Sequence, residues 1–160
     1  MKKLLATIVL GLLWSGNIFA IEREYGGPTS IEEAKKKFFK NRKLDTIEGL
    51  WYTEGDLAIY AIVKIKKGIY HTWTVEHEVS KYIGSRDKHE LTRKTASDKI
   101  YIQKTTIYNK NNISEEAVAQ GTLMLNHNYY ETHYPRGCWT ETKCWSPIDS
   151  FSIRMWPENI

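Results

Sequence analysis

"LAIYAIVKIKKGIYHTWTVEHEV", residues 57–79, holds two alternating apolar runs around a short break of lysine and glycine. Leu57, Ile59, Ala61, Val63 and Ile65 alternate with Ala58, Tyr60, Ile62 and Lys64. Ile69, Trp73, Val75 and Val79 continue the pattern opposite Thr72, Thr74, Glu76 and Glu78. Successive side chains of a strand point to opposite faces, so a period of two is the signature of a half-buried strand. Lys66-Lys67-Gly68 supplies a turn between the runs, and the pair reads as a long β-hairpin. By parity His71 and His77 fall on one face of the second strand.

Downstream, strands are predicted at 88–95, 99–108, 115–125, 129–134 and 149–156. Turn-like clusters at 109–112 and 126–128 separate several of them. Upstream the period is helical. Ser30 and Glu33 have capping-box spacing, and Ile31, Ala34 and Phe38 share a face largely opposite Lys35–Lys37, so one amphipathic helix is expected over about 30–41. Many strands after a single helix make the chain mainly β, an antiparallel barrel or sandwich.

The first twenty residues stand outside that fold. Lys2 and Lys3 precede an apolar run from Leu4 to Trp14, and small and polar residues lead to Ala20. That is the layout of a secretory signal peptide cleaved after Ala20. The apolar run is short against the roughly 20 residues that span a bilayer, and no cysteine lies nearby to carry a lipid. A single domain over 21–160 is expected in the periplasm or outside the cell, with no stable membrane insertion after cleavage.

Removing Lys2 and Lys3 lowers the formal charge from +4 to +2. The remaining lysines are interspersed with Glu and Asp, so no basic stripe points to nucleic acid. The only two cysteines, Cys138 and Cys144, lie in the exported part. In an oxidising compartment such a close pair reads as one disulfide. The C-x5-C spacing is not the redox C-x-x-C, and two thiols do not make a zinc site.

Between helix and hairpin stands "LDTIEGLW", residues 44–51. A glycine there permits a close approach as the chain enters the sheet, and a tryptophan supplies a large plug for a small barrel. The G-x-W of Gly49-Leu50-Trp51, after a helix and at the first strand, resembles the opening signature of lipocalin-like (calycin-type) barrels. The resemblance implies a small β-barrel in which an arginine near the last strand covers the tryptophan ring. Arg154, in "FSIRMWP", holds the comparable place. The T-D-Y element of that family is missing, and the chain is short for a full-size member. "KLDTIEGLW" and "RMWPE" are also similar to a set of small exported bacterial proteins, a likeness that implies no chemistry.

Patterns for catalysis are sparse. G-x-S-x-G, the phosphate loop, H-E-x-x-H and the EF-hand loop are all missing. His127 and His133 are six residues apart, about 20 Å along a straight strand, too far to share a metal. Glu131 and His133 form a closer same-face pair, a dyad at most. No metal and no cofactor is expected. "YPRGCWTETKCWSP", residues 134–147, reads instead as a rigid, disulfide-closed loop between prolines, with Arg136, Trp139 and Trp145 as candidate contacts. The expected function is non-enzymatic binding, of a small apolar ligand in the barrel or of a protein or glycan at its rim. An inhibitor-like module acting on an envelope protein is the alternative, ahead of an envelope hydrolase using Glu131 and His133. Tyr60, Trp73, Leu123 and Leu125 are large enough to fill the interior, so parity leaves open whether it is hollow.

Overall fold

The computed structural model describes residues 23–87, 90–94, 99–108, 114–124, 127–140 and 143–158. The predicted leader and Leu125 lie outside these residues. In chain order the strands are β1 (Arg23–Tyr25), β2 (Gly49–Thr53), β3 (Ala58–Lys66), β4 (Ile69–His77), β5 (Ser85–Asp87) and β6 (Leu91–Arg93). They continue with β7 (Ile100–Tyr108), β8 (Ser114–Met124), β9 (Tyr129–Tyr134), β10 (Gly137–Thr140), β11 (Lys143–Trp145) and β12 (Ile148–Trp156).

β2, β3, β4, β6, β7, β8, β9 and β12 pair antiparallel in that order, and β12 returns to β2, closing an eight-stranded barrel. Each barrel strand therefore neighbours the next in sequence, apart from two excursions. The first carries β5, which pairs with β4 at Trp73↔Arg86 and receives β1 on its far side. The second is a separate β10–β11 hairpin between β9 and β12. Of the strand expected at 88–95, residues 91–93 form β6, which pairs with both β4 and β7, and residues 88, 89 and 95 lie outside the described ones. Within the expected disulfide-closed loop, Gly137–Thr140 and Lys143–Trp145 pair as β10 and β11. Cys138 and Cys144 face each other across the hairpin and are bonded.

The helix is shorter than expected. α1 (Ile31–Ala34) begins at Ser30, whose Oγ accepts the Glu33 amide at 3.2 Å. The Glu33 carboxylate reaches back to the Thr29 amide at 2.8 Å rather than to Ser30. Residues Lys35–Phe39 widen into a π turn. The wider turn moves the buried position on by one residue, so Phe39 is 4 % exposed while Phe38 is only partly covered.

Two apolar clusters follow. Ala34 and Phe39 pack on Leu50, Ile59, Ala61, Val63 and Val75, outside the barrel wall. Inside lie Ile47, Trp51, Ile62, Tyr70, Leu91, Tyr101, Leu123 and Tyr130. β3 is therefore buried on both faces, and its odd-numbered set faces the helix rather than the interior. Burying a side chain such as Phe39 is worth about 1.5–3 kcal/mol. Trp73 belongs to the outer set, its ring 5.9 Å from Phe38, so of the four large residues named above it does not fill the barrel.

Candidate functional site

The closed end of the barrel explains the glycine and tryptophan. Gly49 has φ +142, a region that L side chains rarely adopt, and a Cβ there would lie 2.1 Å from the Trp156 carbonyl oxygen. The chain preceding it crosses beneath the barrel and seals it with Ile47, which is fully buried. Trp51 donates its indole N–H to the Ile47 carbonyl at 2.9 Å. The Arg154 guanidinium sits 4.1 Å from the centre of the indole ring. Its N–H groups also bind the carbonyls of His127 and Glu48, each at 2.8 Å, and of Thr46. Burial pulls this guanidinium down to about 10, partly offset by Tyr101, so it remains charged at neutral pH.

Two carboxylates brace the same end, and neither was singled out from the sequence. Glu48 is fully buried. Its carboxylate accepts from Arg42, from the Asp45 amide at 2.9 Å and from the Lys64 amide at 2.7 Å. Asp45 takes Lys64 at 3.1 Å and the Tyr70 hydroxyl at 2.9 Å. Burial alone would raise the Asp45 carboxyl. The Lys64 and Tyr70 bonds outweigh it and hold the group below its ordinary value. Burial and the same Asp45 bond push the Tyr70 phenol up.

Above this floor the barrel is hollow. A cavity of about 790 Å³ begins at Trp51, Ile62, Leu91 and Tyr130 and rises past Thr53, Tyr60, Thr72, Thr74, Gln103, Thr132, Ser150 and Ser152. Glu54, Asp56, His77, Tyr82, Arg23, Lys104 and Asp149 surround its mouth, at the end opposite Arg154. Eight-stranded barrels have room for one small ligand, and the volume falls within the roughly 300–1,000 Å³ of ligand clefts. Thr53 and Ser152 share a hydrogen bond of 2.6 Å across β2 and β12. Tyr130 lies over Gly121, where a Cβ would come within 1.8 Å of its hydroxyl. That glycine makes room for the ring.

His71 and His77 do not share a face. Register shifts where Ile59 opposes Glu76 but Tyr60 opposes Thr74, leaving one extra residue in β4. Such a bulge reverses the parity beyond it. His77 consequently lines the cavity mouth. His71 lies on the outside near Glu90, at 3.9 Å, with burial first and Arg86 second lowering its pKa. His127 sits in a turn at φ +65, at the closed end. Glu131 and His133 occupy the outer face of β9, where His133 Nδ1 is 2.7 Å from Asp149 Oδ1 on β12. Among the described residues no group of three or more His, Cys, Asp or Glu side chains could hold a metal.

The β10–β11 hairpin stands at the open end, where β9 finishes and β12 begins. Arg136, just before it, is exposed. Trp139 and Trp145 lie on its two strands, and their side chains are outside the described ones. The hydroxyl-lined cavity was missed from the sequence, although a signal for it exists. Trp51, Tyr70, Tyr101 and Tyr130 are each followed two residues later by Thr53, Thr72, Gln103 and Thr132. No protein-family model, curated protein or solved structure matches the chain.

Proposed function

We propose that this chain is an exported, non-enzymatic binding protein that takes a small molecule into the upper half of a lipocalin-like barrel. The observation that carries the reading is the hollow of about 790 Å³ above a sealed aromatic floor, open beside the disulfide-closed hairpin. Binding rather than turnover is favoured because Glu131 and His133 lie on the outer face of β9 and do not line that hollow. The sealed end supports a container in another way. Arg154 is committed to three backbone carbonyls and the Trp51 ring, so its charge serves the floor and is not presented to a guest. The hairpin is the rim contact in the alternative, in which the partner is an envelope protein or glycan met by Trp139, Trp145 and Arg136.

Native mass spectrometry of the protein released gently from the periplasm is the test. A co-purifying small molecule, absent from a Ser150→Trp variant whose added ring projects into the hollow and obstructs it, is the expected result. A protein partner captured equally by both forms, and lost on replacing Trp139 and Trp145 with Ala, would move the function to the rim.

A further inference from the structure

Inward-facing positions change character sharply at one level of the barrel. On β2, β4, β7 and β9 an aromatic ring of the floor is followed, one inward position higher, by a hydroxyl or amide: Trp51 by Thr53, Tyr70 by Thr72, Tyr101 by Gln103, Tyr130 by Thr132. β12 adds Ser150 and Ser152 beside them. The result is a hydroxyl and amide collar resting on an apolar floor. Among the described residues, the side chains of Thr72, Gln103 and Ser150 make no hydrogen bond to another protein group.

An acyl chain placed in that collar would strip water from these groups and return no hydrogen bond, which is unfavourable for each group left unpaired. A ligand dense in hydroxyls replaces the water it displaces. The charges do not favour an ion. Carboxylates (Glu54, Asp56) and cations (Arg23, Lys104) mix at the mouth, while Arg154 below is held by carbonyls and covered by Trp51. Tyr60, half-buried in the cavity wall, offers a ring against which the apolar face of a sugar can lie.

We propose that the ligand of this barrel is an uncharged, hydroxyl-rich molecule of the saccharide class, seated in the Thr72–Gln103–Ser150 collar. The inference rests on the barrel-carriage reading above and replaces the apolar ligand expected from the sequence with a polar one.

Calorimetric titration of the exported, folded protein tests it, with maltose and N,N′-diacetylchitobiose as saccharide probes and dodecanoate as the acyl probe. The Thr72→Val and Gln103→Leu variants keep side-chain shape while removing hydrogen-bonding groups, and unchanged melting midpoints verify that each folds. The expected result is saccharide binding by the natural protein, weakened roughly 5- to 10-fold by each variant, with no binding of dodecanoate. Dodecanoate binding that tightens in the variants, without saccharide binding, overturns the proposal yet leaves barrel carriage standing. Absence of binding to both saccharides also overturns it. If native mass spectrometry finds the barrel empty as well, the broader reading falls too.

Discussion

Replacing Gly49 with Ala sets two independent penalties at one atom. The backbone at φ +142 is essentially closed to residues with a Cβ, and holding one there costs about 1–3 kcal/mol. The new methyl would also stand 2.1 Å from the Trp156 carbonyl oxygen and 3.1 Å from the Pro157 ring. Backbone cannot rotate aside as a flexible side chain can, so the end of β12 must move, adding about 1–3 kcal/mol for overpacking. The move would also disturb Arg154, whose Nη1 is 3.0 Å from the same point. Together these give a loss of about 4 kcal/mol, a large share of the 5–15 kcal/mol by which domains are usually stable. Urea unfolding followed by tryptophan fluorescence reads it directly. With a slope of about 2 kcal/mol per molar, the midpoint falls by about 2 M. Gly55→Ala is the matched control, because nothing lies within 4 Å of its added methyl, and its midpoint should stay within about 0.3 M. A Gly49→Ala protein within 1 kcal/mol of the natural one would refute the close-approach account of the closed end.

Arg154→Met leaves three carbonyls without their charged donor and should cost about 3 kcal/mol, read as a lower melting temperature; Arg154→Lys, lacking the planar fork, should recover less than half. Asp45 has a depressed carboxyl, so its contribution is present above the unfolded value near 3.8 and is lost as pH falls through the lower folded one. Asp45→Asn should therefore destabilise at pH 7 and flatten the acid limb of the stability curve, and an unaltered limb would count against the Lys64–Tyr70 bracing. Replacing Cys138 and Cys144 with Ser removes a short cross-link worth about 2 kcal/mol, and amide exchange should rise in β10 and β11 while the barrel strands stay protected. Protein recovered from the periplasm should have the mass of a chain beginning at Ile21; intact chain in the membrane fraction would contradict a cleaved leader.

Alternation alone determined much of this protein: the hairpin of β3 and β4, the long β7 and β8, β9 and β12, and a barrel-type architecture after one helix. These features are local, because strand period and turn chemistry act between neighbouring residues. The short β1 and β5 escaped because three residues carry too little pattern. Tertiary structure decided which side is inside. Ile59, Ala61 and Val63 are as apolar as any interior set, yet they face a helix, and a strand buried on both faces leaves parity with no answer. One bulge beside Val75 then reversed the two histidines of β4, a change invisible without the partner strand. Glu48 has no local pattern that marks it as buried; the chain crossing the floor encloses it between Arg42 and two amides. The cavity depended on height as well as facing. Whether Thr72 or Gln103 meets solvent, a packed ring or a guest is set by how the tilted strands stagger around the closed barrel, and that stagger is a property of all eight pairings at once.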